Sequence, residues 1–246
     1  MMRRFGLIGF PLSHSFSQKY FTEKFANLGI TDCVYENFAL KHIDELAELI
    51  TKHSDIAGLN VTIPYKKQVL DFLTDTTEVV TKTGACNCIK FQGSRLTGHN
   101  TDVTGFEQSL LPFLKPHHTR ALVFGTGGAS AAVAYVLDKL GIPFQYVSRN
   151  TADHTMDYQS VNENLLASHQ LLINTTPLGM YPAVDEFPDI PYQYLTPQHH
   201  LYDLIYNPAQ TKFLEKGKLR GATTQNGLEM LILQAEESWR IWNEPT

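Results

Sequence analysis

The chain has 246 residues, 43% apolar and 18% charged, enough to bury the core of one large domain or two modest ones, which excludes a disordered polypeptide. Its 20 Lys and Arg against 25 Asp and Glu leave a formal charge of -5 with no run of like charges, so nucleic-acid and anionic-membrane partners have no electrostatic support. An odd number of cysteines, 3, in a chain this long suits a reducing compartment rather than a disulfide framework.

Residues 5–10 read as an opening strand, and the apolar stretch before Pro11 is too short for a signal-peptide core or a membrane span, so a cytoplasmic protein is expected. A polar loop through Ser15 leads into a helix with Phe21, Phe25 and Leu28 on one face and Gly29 as its stop. A strand at 34–38, a helix spacing Ile43, Leu46, Ala47 and Ile50, and a strand at 57–63 ended by Pro64 follow. A short helix with Val69, Leu70 and Leu73 and a helical stretch ending at Gly84 precede strand-like segments at 86–91 and 96–102. Cys86 and Cys88, two apart, face one side as buried thiols, and neither His117-His118 nor His199-His200 has ligand spacing, so no metal is expected.

A fresh βαβ unit starts at 121–124, continues as a helix over 129–140 stopped by Gly141, and returns as a strand at 144–147. Strands at 171–174 and 201–205 extend this second sheet. The last helix begins at Asn226, with Glu229 three residues on, and carries Leu228, Leu231, Ile232, Ala235, Trp239 and Trp242 as one stripe; periodicity leaves open which domain it covers. Alternating strands and helices predict an α/β fold with a largely parallel sheet.

Between strand 121–124 and its helix lies Gly125-Thr126-Gly127-Gly128-Ala129-Ser130. Glycines there allow a tight turn for structural reasons alone, or a close approach of backbone N–H groups to a pyrophosphate at the helix N-terminus. Ser130 replaces the usual third glycine. After the next strand, where an acidic residue would mark an NAD enzyme, stands Ser148-Arg149-Asn150; a guanidinium there suits the 2'-phosphate of NADP, the plain alternative being a surface arginine.

In Asn60-Val-Thr62-Ile-Pro64-Tyr-Lys66-Lys67, Pro64 pre-sets a helix start, so Lys66 and Lys67 are expected in a first helical turn, where the dipole disfavours a protonated amine and helps proton exchange. Lys67 reads as a surface lysine. Lys66 reads as the reacting group because Asn100-Thr101-Asp102 supplies a carboxylate just before the second unit, although Asp102 could equally cap the following helix.

Together these segments resemble the shikimate dehydrogenases from end to end: Ser13-His14-Ser15, Asn60 to Lys66, Gly84-Ala-Cys-Asn87, Asn100-Thr-Asp102, Gly125 to Ser130, Asn174-Thr-Thr-Pro-Leu-Gly179, Asp203-Leu-Ile-Tyr206, and Asn226-Gly227 leading to Gln234. The resemblance implies an N-terminal α/β substrate domain, residues 1–102 with 227–246, whose C-terminal helix returns to it, a Rossmann-type NADP-binding domain at 103–226, and a cleft active site. It implies NADPH-dependent, reversible reduction of 3-dehydroshikimate to shikimate, in the pathway to chorismate and aromatic amino acids. Lys66 and Asp102 match the family's catalytic pair, and with them Ser13, Ser15, Thr62, Asn87, Tyr206 and Gln234 match substrate-holding positions. Glu78, Leu204 and Gly227 match positions near the nicotinamide, beside Gly125, Thr126, Gly127, Gly128, Ala129, Ser148, Arg149 and Asn150 for the rest of NADP(H).

Plainer readings exist for several of these: Ser13 or Ser15 as a helix cap, Gln234 as a core amide, Tyr206 as a packed aromatic. The chain departs from the family at His14, at Cys86 and Cys88, and at Asp153, where NADP-preferring members often carry a second arginine. The expected partner is a small-molecule substrate, the expected state a monomer or homodimer. Two alternatives stand beside the main reading: a quinate/shikimate dehydrogenase using NAD or both cofactors, and a non-catalytic NADP/shikimate-binding sensor.

Overall fold

The computed structural model describes residues 2–12, 15–150 and 155–245, and they fall into two units, Met1–Thr101 with Ala235–Thr246 and Asp102–Gln234. Ser13, His14 and Asp153 lie outside the described residues. The first unit runs β1 (Arg3–Gly9), α1 (Phe16–Asn27), β2 (Cys33–Ala39), α2 (Glu45–Lys52), β3 (Ile56–Val61), a 3-10 stretch (Gln68–Phe72), β4 (Asp75–Thr76), α3 (Glu78–Thr83), β5 (Cys88–Gln92) and β6 (Arg95–His99). Its sheet has the order β2-β1-β3-β5-β6-β4 and is mixed rather than largely parallel, since β5 runs antiparallel to both β3 and β6. The cause is the two-residue link Gly93-Ser94, with Gly93 at φ 62: such a link closes a hairpin, whereas a parallel crossover needs a dozen residues or more.

Local chemistry sets the helix ends. The Ser15 hydroxyl accepts the Gln18 N–H at 3.3 Å, and Gly29 takes φ 64 after the Leu28 C-cap. Leu28, expected on the buried face, is 62% exposed at the C-cap, where its N–H closes the last turn on the Lys24 carbonyl at 3.0 Å. In α2 the core takes Leu46 and Leu49 while Ala47 faces out.

The second unit follows as α4 (Thr101–Leu110), β7 (Ala121–Phe124), α5 (Gly128–Lys139), β8 (Phe144–Val147), β9 (Thr155–Met156), α6 (Glu163–Ser168), β10 (Leu171–Asn174), β11 (His200–Asp203), α7 (Lys212–Lys218), β12 (Thr223–Gln225) and α8 (Leu228–Asn243). Every pairing is parallel, in the order β12-β11-β10-β7-β8-β9, which is the 3-2-1-4-5-6 order of dinucleotide-binding sheets. Strands β7, β10 and β11 are buried at every residue, as central strands of a parallel sheet covered on both faces require, including the polar ends Asn174 and Asp203.

The division between the units falls at 101/102 and at 234/235, against 102/103 and 226/227 expected from the sequence. The second shift has a steric origin. A Cβ on Gly105 of α4 would lie 2.6 Å from the Met230 carbonyl oxygen and 3.0 Å from the Gln234 Cβ, so the first half of α8 lies against α4. Its second half closes the first unit: Trp242 stacks on Phe5 at 4.8 Å, its indole N–H donates to the Ile89 carbonyl at 3.0 Å, and only a glycine at 58 leaves room for it, a Cβ there falling 2.2 Å from the ring nitrogen. The buried face is Gln234, Ala235, Ser238, Ile241 and Trp242, while Leu228 of the expected stripe is exposed. Among the described residues no helix is long and apolar enough to cross a membrane, and no group of His, Cys, Asp or Glu could hold a metal.

Candidate active site

In the first unit β3 hands the chain to the substrate-side residues. Thr62, just past the strand, donates its N–H to the Ile8 carbonyl at 2.9 Å, and residues 63–67 then turn. Lys66 and Lys67 therefore precede a five-residue 3-10 stretch instead of opening a helix, and so short an element supplies little dipole, which removes the helix-dipole argument for Lys66. The turn is pinned by Tyr65, whose buried hydroxyl donates to the Leu40 carbonyl at 2.6 Å. Lys67 is exposed and Lys66 half-buried. The Lys66 carbonyl accepts the Cys86 N–H at 2.7 Å and the Asn87 carbonyl accepts the Val61 N–H at 2.9 Å, so Thr62, Lys66 and Asn87 converge.

The buried Asn87 amide grips the start of α4. Its Oδ1 accepts the Thr101 N–H at 2.6 Å, one of the donors a helix start leaves unpaired, and its Nδ2 donates to Thr101 Oγ1 at 3.0 Å. Asp102 follows, buried in the first turn, where the helix N-terminus favours a negative charge. In the second unit it stands one turn before the Gly105 crossing at which Gln234 lies; the Gln234 Nε2 donates to the Leu231 carbonyl at 2.8 Å. Ser15 is the cap already described, a use that occupies a lone pair and leaves the hydroxyl proton for another acceptor. Cys86 and Cys88 are buried free thiols.

Of the residues expected to hold the cofactor, those of the glycine turn lie at the carboxyl ends of the second sheet, where the strand order reverses between β7 and β10. Gly125 takes φ 97, and a Cβ on it would come within 2.8 Å of Thr176 and 2.9 Å of Thr175, so a glycine is needed there for packing. Gly127 and Gly128 are the opposite case: a Cβ on either would meet nothing within 4 Å. They are exposed with Thr126 at the head of the 12-residue α5, which no side chain caps. A pyrophosphate fits that open turn, facing unpaired N–H groups. Ser130, in the third glycine's place, turns inward and donates its hydroxyl to the Gly127 carbonyl at 2.5 Å, leaving Ala129 at the helix start.

Past β8, the Ser148 N–H donates to the Met156 carbonyl at 2.9 Å and its hydroxyl accepts the Asn150 N–H at 3.3 Å, shaping a turn from which Arg149 and Asn150 are exposed. Gly227 is buried, and a Cβ there would fall 2.0 Å from the Leu204 carbonyl oxygen, so these two residues are held together by a missing side chain. Tyr206 is 37% exposed rather than a packed core aromatic. Glu78 lies in the first unit, exposed and paired with Lys82 at 2.7 Å, which holds its carboxyl below the usual value.

Two buried polar groupings join motif residues that the sequence named without a role, Asn174 and Asp203 in one and Asn60 and Thr101 in the other, to residues it did not name, Thr211, Tyr35 and Ser238. Asp203 is fully buried at the end of β11, where desolvation pushes its carboxyl up to about 6 against bonds that favour the charge, from the Thr211 hydroxyl at 2.6 Å, the Ile205 N–H at 3.1 Å and the Asn174 amide at 3.0 Å. Asn174 in turn accepts from the Thr176 N–H and hydroxyl, so one network shapes the loops after both β10 and β11. In the first unit Tyr35, Asn60, Thr101 and Ser238 form a second chain with Asn87. The signal available was a polar residue inside an otherwise apolar element.

The chain is similar to known proteins along nearly its whole length. A family model described as the shikimate dehydrogenase substrate binding domain matches residues 7–89. The shikimate dehydrogenase (NADP(+)) of Desulforamulus reducens is 37% identical, over 96% of this chain and 88% of that protein. The shikimate 5-dehydrogenase of Listeria monocytogenes, solved in complex with shikimate and NAD, matches with a TM-score of 0.88 at 26% identity, covering 98% of this chain and 91% of that one. The shikimate 5-dehydrogenase of Thermus thermophilus, solved with NADP(H) and shikimate, gives 0.87 at 28% identity, covering 98% and 94%. With a relative this similar along nearly the whole length of both sequences, the chain belongs to the shikimate dehydrogenase family.

Proposed function

We propose that this chain catalyses the NADP(H)-dependent, reversible reduction of 3-dehydroshikimate to shikimate, feeding the pathway to chorismate and aromatic amino acids. The observation that carries the reading is the pair of open glycines, Gly127 and Gly128, heading an uncapped helix at the reversal point of a 3-2-1-4-5-6 sheet, in a chain whose other unit carries the family's substrate-binding stretch. When bound, NADP(H) supplies or accepts the hydride at C3 of the substrate.

The chain's own residues do the rest. The N–H groups of residues 125–129 hold the pyrophosphate, and Arg149 with Ser148 and Asn150 takes the 2'-phosphate. Glu78, Leu204 and Gly227 serve the nicotinamide end, the last two through the close backbone approach that Gly227 permits. The Lys66 ammonium donates a proton to the C3 oxygen as the carbonyl becomes an alcohol and takes it back in the reverse direction, while Asp102 accepts a hydrogen bond and keeps the proton donor and the substrate hydroxyl aligned. Ser13 and Ser15 donate to the carboxylate, and Thr62, Asn87, Tyr206 and Gln234 bond the ring hydroxyls, since a polyhydroxylated acid needs many short polar side chains. The first unit, 1–101 with 235–246, serves as the substrate domain and the second, 102–234, as the cofactor domain, in a cytoplasmic enzyme working as monomer or homodimer without nucleic-acid or membrane partners; the free cysteines and the charge of -5 support that setting.

The test is nicotinamide absorbance of the purified protein with shikimate and NADP+, beside NAD+ and beside quinate. Fast reduction with shikimate and NADP+ is expected. A preference for NAD+ would trace to Asp153, a preference for quinate would replace the substrate, and no turnover from a folded sample would leave a binding protein.

A further inference from the structure

Helix α8 enters the first unit with a fully buried serine, Ser238, one turn before the Trp242 that anchors it. Alanine at that position would be the better helix former and would bury no polar atom, so the hydroxyl has to be accounted for by what it bonds. It accepts from Asn60 Nδ2 at 2.9 Å and shares a hydroxyl–hydroxyl bond with Thr101 at 3.2 Å. Upstream, the Asn60 Oδ1 accepts the Tyr35 hydroxyl at 2.8 Å, and Tyr35 is itself bonded to Ser17 of α1. Downstream, Thr101 is bonded to Asn87 through both its N–H and its hydroxyl.

We propose that Ser238 is a positioning residue, the link through which the docking of α8 fixes Asn87 and the start of α4. The inference rests on the proposed role of Asn87 as a substrate ligand. The chain joins α1, β2, β3, α8 and α4 and ends on the residue pair that opens α4, with Asp102 next in sequence. Each of its members is buried, so no solvent replaces a deleted partner. Removing the Ser238 hydroxyl deprives Asn60 and Thr101 of a partner at once. The Thr101 hydroxyl bonded to the Asn87 amide is then no longer held from the α8 side, which loosens one of the bonds that set the Asn87 rotation beside the Thr101 N–H, while the cofactor turn in the second unit is untouched.

The position also has a mechanical logic. Trp242, four residues on and therefore on the same face of α8, is held by the Ile89 carbonyl and by Phe5, so the Ser238 hydroxyl arrives at a defined height along the sheet. A serine on a less firmly held turn could not relay an orientation.

The experiment pairs kinetics with amide hydrogen exchange on Ser238→Ala and Tyr35→Phe in the full chain. In Ser238→Ala the KM for shikimate should rise about ten-fold, the size of one net hydrogen bond, with the KM for NADP+ unchanged, and the Thr101 amide should exchange about ten-fold faster. Tyr35→Phe keeps the ring stacked 4.6 Å from Phe21 and should move both readings the same way by less, which preserves the test if the serine variant does not fold. A drop in Tm alone, with shikimate KM and Thr101 exchange as in the wild type, would reduce Ser238 to a packing residue and overturn the proposal. Absence of shikimate turnover in the wild type would instead sink the functional reading, which the Thr101 exchange does not depend on.

Discussion

Around Asn87 the first unit fills its interior with reciprocal amide and hydroxyl bonds, whereas around Gly127 the second leaves room where side chains would stand. The first arrangement suits a small ligand whose hydroxyls must be matched one by one; the second suits a phosphate chain gripped by backbone. Errors should therefore show differently in the two places: substitutions on the substrate side disturb chemistry and shikimate binding, while substitutions on the cofactor side change affinity for NADP(H) without unsettling the fold.

The largest expected effect lies on the substrate side. Lys66→Met should lower turnover by about 10²-fold or more with the melting temperature unchanged, the size of a general acid-base contribution from the proposed proton donor, which is half-buried. Turnover equal to wild type would remove Lys66 from the mechanism. Next come the glycines, which divide the second unit internally. Gly127→Val should raise the Kd for NADP(H) by about ten-fold or more, measured by fluorescence titration, and leave thermal unfolding as it was, since its φ of -78 accepts a side chain and nothing lies within 4 Å. Gly227→Ala should instead destabilise the protein by about 1–3 kcal/mol, its Cβ falling on the Leu204 carbonyl. Equal melting behaviour in the two variants would erase the distinction between open and crowded glycines.

Arg149→Ala is a finer probe: the KM for NADP+ should rise about ten-fold while that for NAD+ stays put, the loss of one charged contact to a phosphate. A parallel rise for both cofactors would mean the guanidinium does not read the 2' position.

The smallest effect is a difference in acid tolerance. Burial holds His118, His169, His199 and His200 of the second unit below the ordinary 6.5, His200 down at about 4, and does the same to His99 in the first. Their neutral native forms contribute stability that is present above pH 6.5 and lost as pH falls toward the folded values, because the unfolded chain takes up the protons first. Asp203 works the other way: raised from 3.8 to about 6, it contributes stability at low pH that disappears as pH rises through 6. Thermal unfolding between about pH 7 and pH 5 should therefore weaken the second unit more than the first, and Asp203→Asn should steepen that loss. A flat profile would mean that the buried imidazoles titrate as if in water.

The order in which these elements became readable has a physical basis. Strands β7 and β10 coincide with the runs at 121–124 and 171–174, because a strand buried on both faces shows as near-continuous apolar sequence, and β8 at 144–147 was legible as the return strand of the βαβ unit. Strands β4, β9 and β12 left no trace, since two or three polar residues such as Thr223-Thr224-Gln225 carry no periodicity and owe their state to a neighbouring strand. The glycine turn was legible through its spacing. The Asn60–Ser238–Thr101 chain was not, because its members lie far apart in sequence and each reads locally as an isolated polar residue on an apolar element. The helix expected around Lys66 failed for a related reason: the fate of residues 63–67 is decided by where Tyr65 buries its ring, a tertiary fact.

The pairing of Trp242 with Phe5 ties the last helix to the first strand, and so gives the two units different histories on the ribosome. The second unit is a continuous run, 102–234, whose sheet can assemble as soon as β12 has emerged. The first cannot close its aromatic interior until residues 235–242 have been synthesised, because Trp239, Ile241 and Trp242 complete the cluster around Phe5, Phe21 and Phe25. Completion of the first unit therefore waits on residues made after the second, which couples its folding to the arrival of α8.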